Sequence, residues 1–136
     1  METKEHIAKT AISINAPVQQ VWDALINPAI IKQYMFGTEV QSDWQPGSAI
    51  TWKGEFNGKP YEDNGKIIKF QPNEILQYTH ASQSGDEHTI TIQLTDNNEH
   101  TGLALTQDKN ANEKAMEESQ KKWNAMLAKM KELLEN

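Results

Sequence analysis

The stretch INAPVQQVWDALINPAIIKQYMFG, from Ile14 to Gly37, decides how the rest of the chain is read. A β-like run ends at Asn15, and Pro17 stands where a helix begins, its φ already suitable and its missing N–H not needed there. Val18, Val21, Trp22 and Leu25 follow at i, i+3, i+4 and i+7, one apolar helical stripe. Asn27-Pro28 then restarts the pattern, with Asn27 as cap and Pro28 as first helical residue. Two short helices directly after a first strand predict a kinked helical plug laid across one edge of a curved sheet.

Upstream, His6–Ile14 reads as a strand with Ile12 and Ile14 on one face. Downstream, Thr38–Ser42 is a short strand, Trp44 to Gly47 a turn, and Ala49–Phe56 alternates Ile50, Trp52 and Phe56 against Thr51, Lys53 and Glu55. Asn57-Gly58 is a strong hairpin signal, a two-residue type I′ turn. It sets Phe56 against Lys59, Gly54 against Tyr61 and Trp52 against Asp63. Lys53 then falls beside Glu62, an opposite-charge cross-strand pair that favours this register. Trp52, Gly54, Tyr61 and Asp63 are expected on one face. Asn64-Gly65 is read as a bulge, after which the strand continues through Ile67, Ile68 and Phe70.

Gln71 to Asn73 turns the chain into Ile75–Ala81, with Leu76, Tyr78 and His80 on one face. Glu87–Thr95 places His88, Ile90, Ile92 and Leu94 together, and Thr101–Gln107 alternates Leu103 and Leu105 with small residues. Asp86-Glu87 and Asp96 to Glu99 read as acidic turn tips. The last segment, from about Asn112 to Leu134, is a long helix whose apolar stripe runs Met116, Ser119, Trp123, Met126, Leu127, Met130, Leu133, Leu134. A meander of six strands must bury one face, and the C-terminal helix is the large element left to cover it. The expected fold is α+β helix-grip: a curved antiparallel sheet of about seven strands gripping a long helix.

The chain has 136 residues, enough for one core, and is expected to be a single domain over 1–136. Cysteine is absent, which excludes disulfides and thiol chemistry. No apolar run approaches the ~20 residues that span a bilayer, so a soluble cytoplasmic protein without a membrane span is expected. The net charge is −6 and every basic residue is lysine, which argues against nucleic acid and removes the bidentate arginine clamp for anions. A ligand is therefore expected to be neutral and partly apolar. His6, His80, His88 and His100 are dispersed, there is no HExxH, no GxSxG elbow and no glycine-rich phosphate loop; no metal and no cofactor are expected.

At these residues the chain resembles the START-like (SRPBCC) superfamily, which includes the birch-pollen-allergen fold. Within it, the match is to the branch named for the activator of heat-shock-protein-90 ATPase homologues. Ala16-Pro17-Val18-Gln19-Gln20-Val21-Trp22-Asp23-Ala24-Leu25 is similar to that branch's opening motif, and Asn27-Pro28 to its next helix. Gly65 through Pro72, Leu76 and Tyr78-Thr79-His80 resemble its central strands; Trp123, Leu127 and Met130 resemble its last helix. Three departures stand out: Tyr34-Met35 in place of a frequent tryptophan pair, His80 where an aromatic is common, and Lys122 where glycine is frequent.

Such a fold can leave a pocket between helix and sheet. By spacing, its candidate lining is Trp52, Tyr61, Asp63, Tyr78, His80, Ile90, Ile92, Met116, Trp123 and Met126. The bland alternative is a filled core, since aromatics and methionines on a helical stripe are usually packing. His80, beside Tyr78 and near Asp63, is the sharpest residue: a hydrogen-bonding or proton-carrying group, or else a satisfied core histidine. Lys121-Lys122 reads as a solvated helix face. Three classes of function follow: a module binding an apolar or aromatic small molecule, a co-chaperone-like domain whose partner is a chaperone protein, and a hydrolase or cyclase using Asp63 or His80. A protein-partner surface is expected to show as an apolar patch at Tyr34-Met35-Phe36.

Overall fold

The computed structural model describes residues 6–81 and 87–135. The chain runs through β1 (Ala8–Ile14), α1 (Val18–Ile26), α2 (Pro28–Tyr34), β2 (Glu39–Ser42), β3 (Ala49–Phe56), β4 (Lys59–Gln71), β5 (Ile75–Ala81), β6 (Glu87–Asp96), β7 (Thr101–Gln107) and α3 (Glu113–Glu135). Seven strands form one antiparallel sheet in the order β1-β7-β6-β5-β4-β3-β2. Strands β2 to β7 are thus a continuous meander, and β1 adds to its far side against β7. The helix pair carries the chain from one edge strand to the other, with α1 on α3 and β6 and α2 on β2 and α3. This is the helix-grip architecture. The acidic turn expected at Asp86 lies outside the described residues.

Local chemistry accounts for the helical pair. Pro17 caps α1 with φ −61° and ψ 151°, one residue before the helix proper. Asn27 caps α2 by accepting the Ala29 N–H on Oδ1 at 3.0 Å, and Pro28 is its first residue. The predicted stripe buries Val21, Trp22 and Leu25, and the Trp22 ring meets Phe70 of β4 edge-on at 5.2 Å.

The hairpin register is as expected: Trp52 faces Asp63, Gly54 faces Tyr61, and Phe56 faces Lys59. Both turn residues have positive φ, 53° at Asn57 and 78° at Gly58, as a type I′ turn requires. Lys53 and Glu62 pair at 3.6 Å on the solvent face.

The bulge lies elsewhere than expected. Gly65 keeps register with Ile50, and the slip in pairing with β5 falls between Ile67 and Lys69. Ile68 is the extra residue and is 43% exposed. Its insertion lets Ile67 and Phe70, three apart, both turn inward, which explains why the parity of this strand resists a period-two reading. Gly65 has a different reason to be glycine. A Cβ there would sit 1.8 Å from the Thr79 carbonyl oxygen of β5.

The long helix both covers the sheet and seals its edge. Asn112 Oδ1 caps it by accepting the Ala115 N–H at 2.8 Å. Trp123, Met126, Leu127 and Met130 are buried. On the flank, Gln120 donates to the Lys9 carbonyl at 3.2 Å, Lys131 to the Ser13 carbonyl at 2.9 Å, and Asn124 meets Thr10. Side chains of α3 thereby occupy backbone acceptors of β1 that an edge strand would otherwise present to another chain. Among the described residues, no helix is long and apolar enough to cross a membrane.

Candidate functional site

A cavity of about 280 Å³ lies between the sheet and α3, and it is open to solvent. Trp52 and Tyr61 come to it from the β3–β4 hairpin, Asp63 from β4, Tyr78 and His80 from β5, Ile90 from β6, and Trp123 and Met126 from α3. All of these were expected from spacing. Ile92 and Met116 do not line it: Ile92 borders a separate void of about 20 Å³ deeper in the core, and Met116 lies outside both sets of lining residues, half-buried. Met116 lies one turn before Ser119, the first residue of α3 to line the cavity. The deeper void has room for one water and is walled by Leu25, Tyr34, Trp44 and Met130, among others.

Met35, Thr38, His88, Gln107, Ser119 and Lys122 also line the cavity and were not expected there. His88, Ser119 and Gln107 had a signal. The first shares a strand face with Ile90, the second lies on the α3 stripe, and the third extends the Leu103–Leu105 alternation. Met35 and Thr38 follow α2 in a segment with no period to read. Lys122 is exposed, as expected of a solvated helix face, and also borders the cavity beside Trp123.

The polar atoms of this lining divide by whether their protons are already committed. Trp123 Nε1 donates to Gln107 Oε1 at 2.7 Å. Gln107 Nε2 in turn donates to Ser119 Oγ at 3.2 Å and to Asn110 Oδ1 at 3.3 Å. Ser119 donates to Asn110 Oδ1 at 2.9 Å, and Asn110 donates to the His6 carbonyl at 2.8 Å. This chain ties α3 to the end of β7 and leaves little for a ligand. Thr38 donates to the Met35 carbonyl at 2.8 Å, so at its 2.8 Å contact with Tyr61 the phenol is the donor. The Tyr61 ring lies across Gly54, where a Cβ would come within 2.7 Å of the Tyr61 hydroxyl oxygen.

Tyr78 differs. It is 5% exposed, its ring is 5.4 Å from Trp52, and burial pushes its pKa well above the ordinary tyrosine value. Its hydroxyl has no hydrogen-bond partner among the described residues. No described side-chain polar atom is both sealed from space and unpartnered, so this hydroxyl is not sealed off; Tyr78 lines both the cavity and the deeper void. It is a neutral donor in an apolar wall.

His80 and Asp63 meet at 3.0 Å between Nε2 and Oδ2. A carboxylate only accepts, so Nε2 carries the proton and Nδ1 holds the lone pair. The geometry resembles an ion pair, but burial lowers the His80 pKa. Asp63 opposes that shift, and Lys122 and His88 add to it. The imidazole is neutral at pH 7, its ring packed edge-on to Trp52 at 4.6 Å. His88 stands directly across from His80 in the β5–β6 register. Its Nδ1 donates to the Asp108 carbonyl at 2.7 Å.

The depressed His80 pKa has a defined effect on stability. Below its unfolded value near 6.5 the unfolded chain takes up this proton while the folded one resists it, so the His80 contribution to stability falls as pH drops. The His80→Gln protein is therefore expected to lose less stability than the parent between about pH 7 and about pH 5. Urea denaturation at each pH checks this, and parallel losses in the two proteins would contradict it.

The sequence family is settled by comparison. The family model described as "Activator of Hsp90 ATPase homolog 1-like protein" matches residues 15–135. The chain belongs to this family. A solution structure of ChR145 from Cytophaga hutchinsonii is 49% identical over 100% of this chain and 97% of its own, with a TM-score of 0.86. The Aha1 dimer from Colwellia psychrerythraea, also a solution structure, is 25% identical over 94% of this chain and 95% of its own, with a TM-score of 0.75. DynU16, a protein of the dynemicin biosynthetic locus, shares the fold at 17% identity and a TM-score of 0.83, over 98% of this chain and 48% of its own. No curated protein matches.

The surface expected for a protein partner is smaller than the sequence implied. Tyr34 is 2% exposed, its hydroxyl donating to the Ala24 carbonyl at 2.8 Å, and Met35 is half-buried against the cavity. Phe36 alone is exposed, at 68%.

Proposed function

We propose that this family member is a cytoplasmic binding domain for an apolar or aromatic small molecule, held in the cavity between sheet and α3. The cavity itself carries the reading. A dry cavity of about 150 Å³ takes benzene, so about 280 Å³ suits a larger ring system. Its apolar walls are aromatic and thioether, from Trp52, Tyr78, Trp123, Met35 and Met126, and the polar side chains between them, Asp63, His80 and Lys122 included, are placed to fix orientation. Tyr78 offers its hydroxyl to a carbonyl or hydroxyl deep in the site. Ile92 and Met116 take no part.

The test is native mass spectrometry of the protein from its own cytoplasm, beside thermal-shift screening of aromatic phenols and ketones. A bound small molecule, or a raised melting temperature, is expected. Tyr78→Phe breaks no hydrogen bond to a described residue, so it should fold normally and weaken an oxygen-bearing aromatic by roughly three- to tenfold. No bound molecule and no shift with any aromatic would overturn the reading.

A second reading has one specific support, the Asp63–His80 pair at 3.0 Å beside the cavity. Asp63 orients the imidazole, and Nδ1 would take a proton from a bound substrate, as a cyclase or hydrolase requires. Chemical change of a bound ligand by the parent protein but not by His80→Gln would favour it. The co-chaperone reading rests on the family name and on the exposed Phe36. Stimulation of an Hsp90-type ATPase that Phe36→Ser removes would favour that one.

A further inference from the structure

We infer that the cavity's ligand carries one acidic group of the carboxylate kind, seated at the mouth against Lys122 and the His80–His88 pair. This rests on the small-molecule reading and names the chemistry of its occupant. It also departs from the neutral ligand expected when the chain is read without its fold.

The argument is an inventory of what the lining still has to give. Gln107 and Ser119 have donated to the chain that anchors α3, Thr38 to the Met35 carbonyl, and Tyr61 to Thr38. These groups shape the wall. The Asp63 carboxylate is engaged by His80. What remains near the mouth is the Lys122 ammonium and two imidazoles. Lys122 lines the cavity with its side chain still in reach of solvent, and it forms no ion pair with a described residue. His80 and His88 face each other across adjacent strands.

The groups around His80 come from each element packed on it: Asp63 from β4, His88 from β6, Lys122 from α3 and the uncharged Trp52 from β3. One carboxylate stands against an ammonium and two imidazoles. Without a ligand, burial above all, with Lys122 and His88 adding to it, keeps His80 neutral. An anion entering the mouth opposes that: it pairs with Lys122 and, with Asp63, favours a proton on the His80 imidazole. Binding and proton uptake are thereby coupled. A single negative charge fits best, because one lysine and no arginine cannot supply the several fixed donors that a dianionic phosphate asks for.

Two fluorescent probes with a shared skeleton test this on the full chain: anilinonaphthalene sulfonate, a permanent monoanion, and its uncharged parent phenylnaphthylamine. Lys122→Gln lies on the exposed flank of α3 and should leave the fold intact. It is expected to weaken the sulfonate by about fivefold at low salt and to leave the parent within about twofold. In the unaltered protein, the sulfonate should tighten as pH falls from about 8 to about 6, while the parent stays level. If both probes bind and respond alike to Lys122→Gln and to pH, the acidic-group inference fails and the pocket stands. If neither binds, the pocket reading fails with it.

Discussion

Gly65→Ala is expected to lose about 3 kcal/mol of stability, the largest effect of a methyl added at any described glycine. The new Cβ would lie 1.8 Å from the Thr79 carbonyl oxygen and 2.6 Å from its carbon. Those are backbone atoms and cannot rotate away as a side chain would. Thr79 is held on its other side by Thr89 in the β5–β6 ladder, and its hydroxyl accepts the Lys66 N–H at 3.0 Å. Relief requires parting β4 from β5 beside Asp63 and His80. Gly102→Ala is the control. Its Cβ would meet Thr95 at 3.6 Å and Asn97 at 3.8 Å, ordinary contact distances, so a loss under about 1 kcal/mol is expected. Urea denaturation of the two variants decides the matter. Equal losses would mean that the close approach at Gly65 is not what its glycine serves.

Trp123→Ala is expected to cost about 3–5 kcal/mol, the range for deleting a large buried aromatic. Trp123 lines both the cavity and the deeper void, so its loss merges them into one larger hole. It also leaves Gln107 Oε1 without its 2.7 Å donor and slackens the Gln107–Ser119–Asn110 chain between β7 and α3. Trp123→Phe keeps most of the apolar volume and removes the N–H, so a loss of about 1–2 kcal/mol is expected. Denaturation midpoints at constant slope check both figures. A Trp123→Ala loss below about 1 kcal/mol would show that α3 is held by its flank to β1 and not by this ring. With an aromatic ligand present, part of the Trp123→Ala loss should return, since a molecule that binds only the folded state stabilises it.

These two residues were legible in the sequence to different degrees. Trp123 was placed on the α3 stripe and in the cavity wall by its spacing from Met126, Leu127 and Met130. Gly65 stands out in the sequence but its role does not, because a glycine inside a strand signals either a bulge or a close approach and the local pattern does not separate them. The bulge fell instead at Ile68, an apolar residue with no turn-forming character, where the demand comes from Phe70 turning inward to meet Trp22 of α1. Tyr34 went the other way. Its place next to Phe36 suggests surface, yet its hydroxyl donates to the Ala24 carbonyl of α1, a contact that depends on the angle between two helices.

What the sequence determined by itself is the part governed by neighbours along the chain. The Asn57-Gly58 turn needs positive φ at two adjacent residues, and with it came the β3–β4 register, the Lys53–Glu62 pair and the shared face of Trp52, Tyr61 and Asp63. Caps and periodicity placed α1, α2 and α3. The tertiary structure alone decided whether the gap under α3 is filled or open, because a cavity is the volume left between distant elements after every side chain has packed. It alone decided the state of His80 as well. That imidazole is neutral because burial, Lys122 of α3 and His88 of β6 outweigh Asp63, and these groups meet only when helix, hairpin and central strands close on one another.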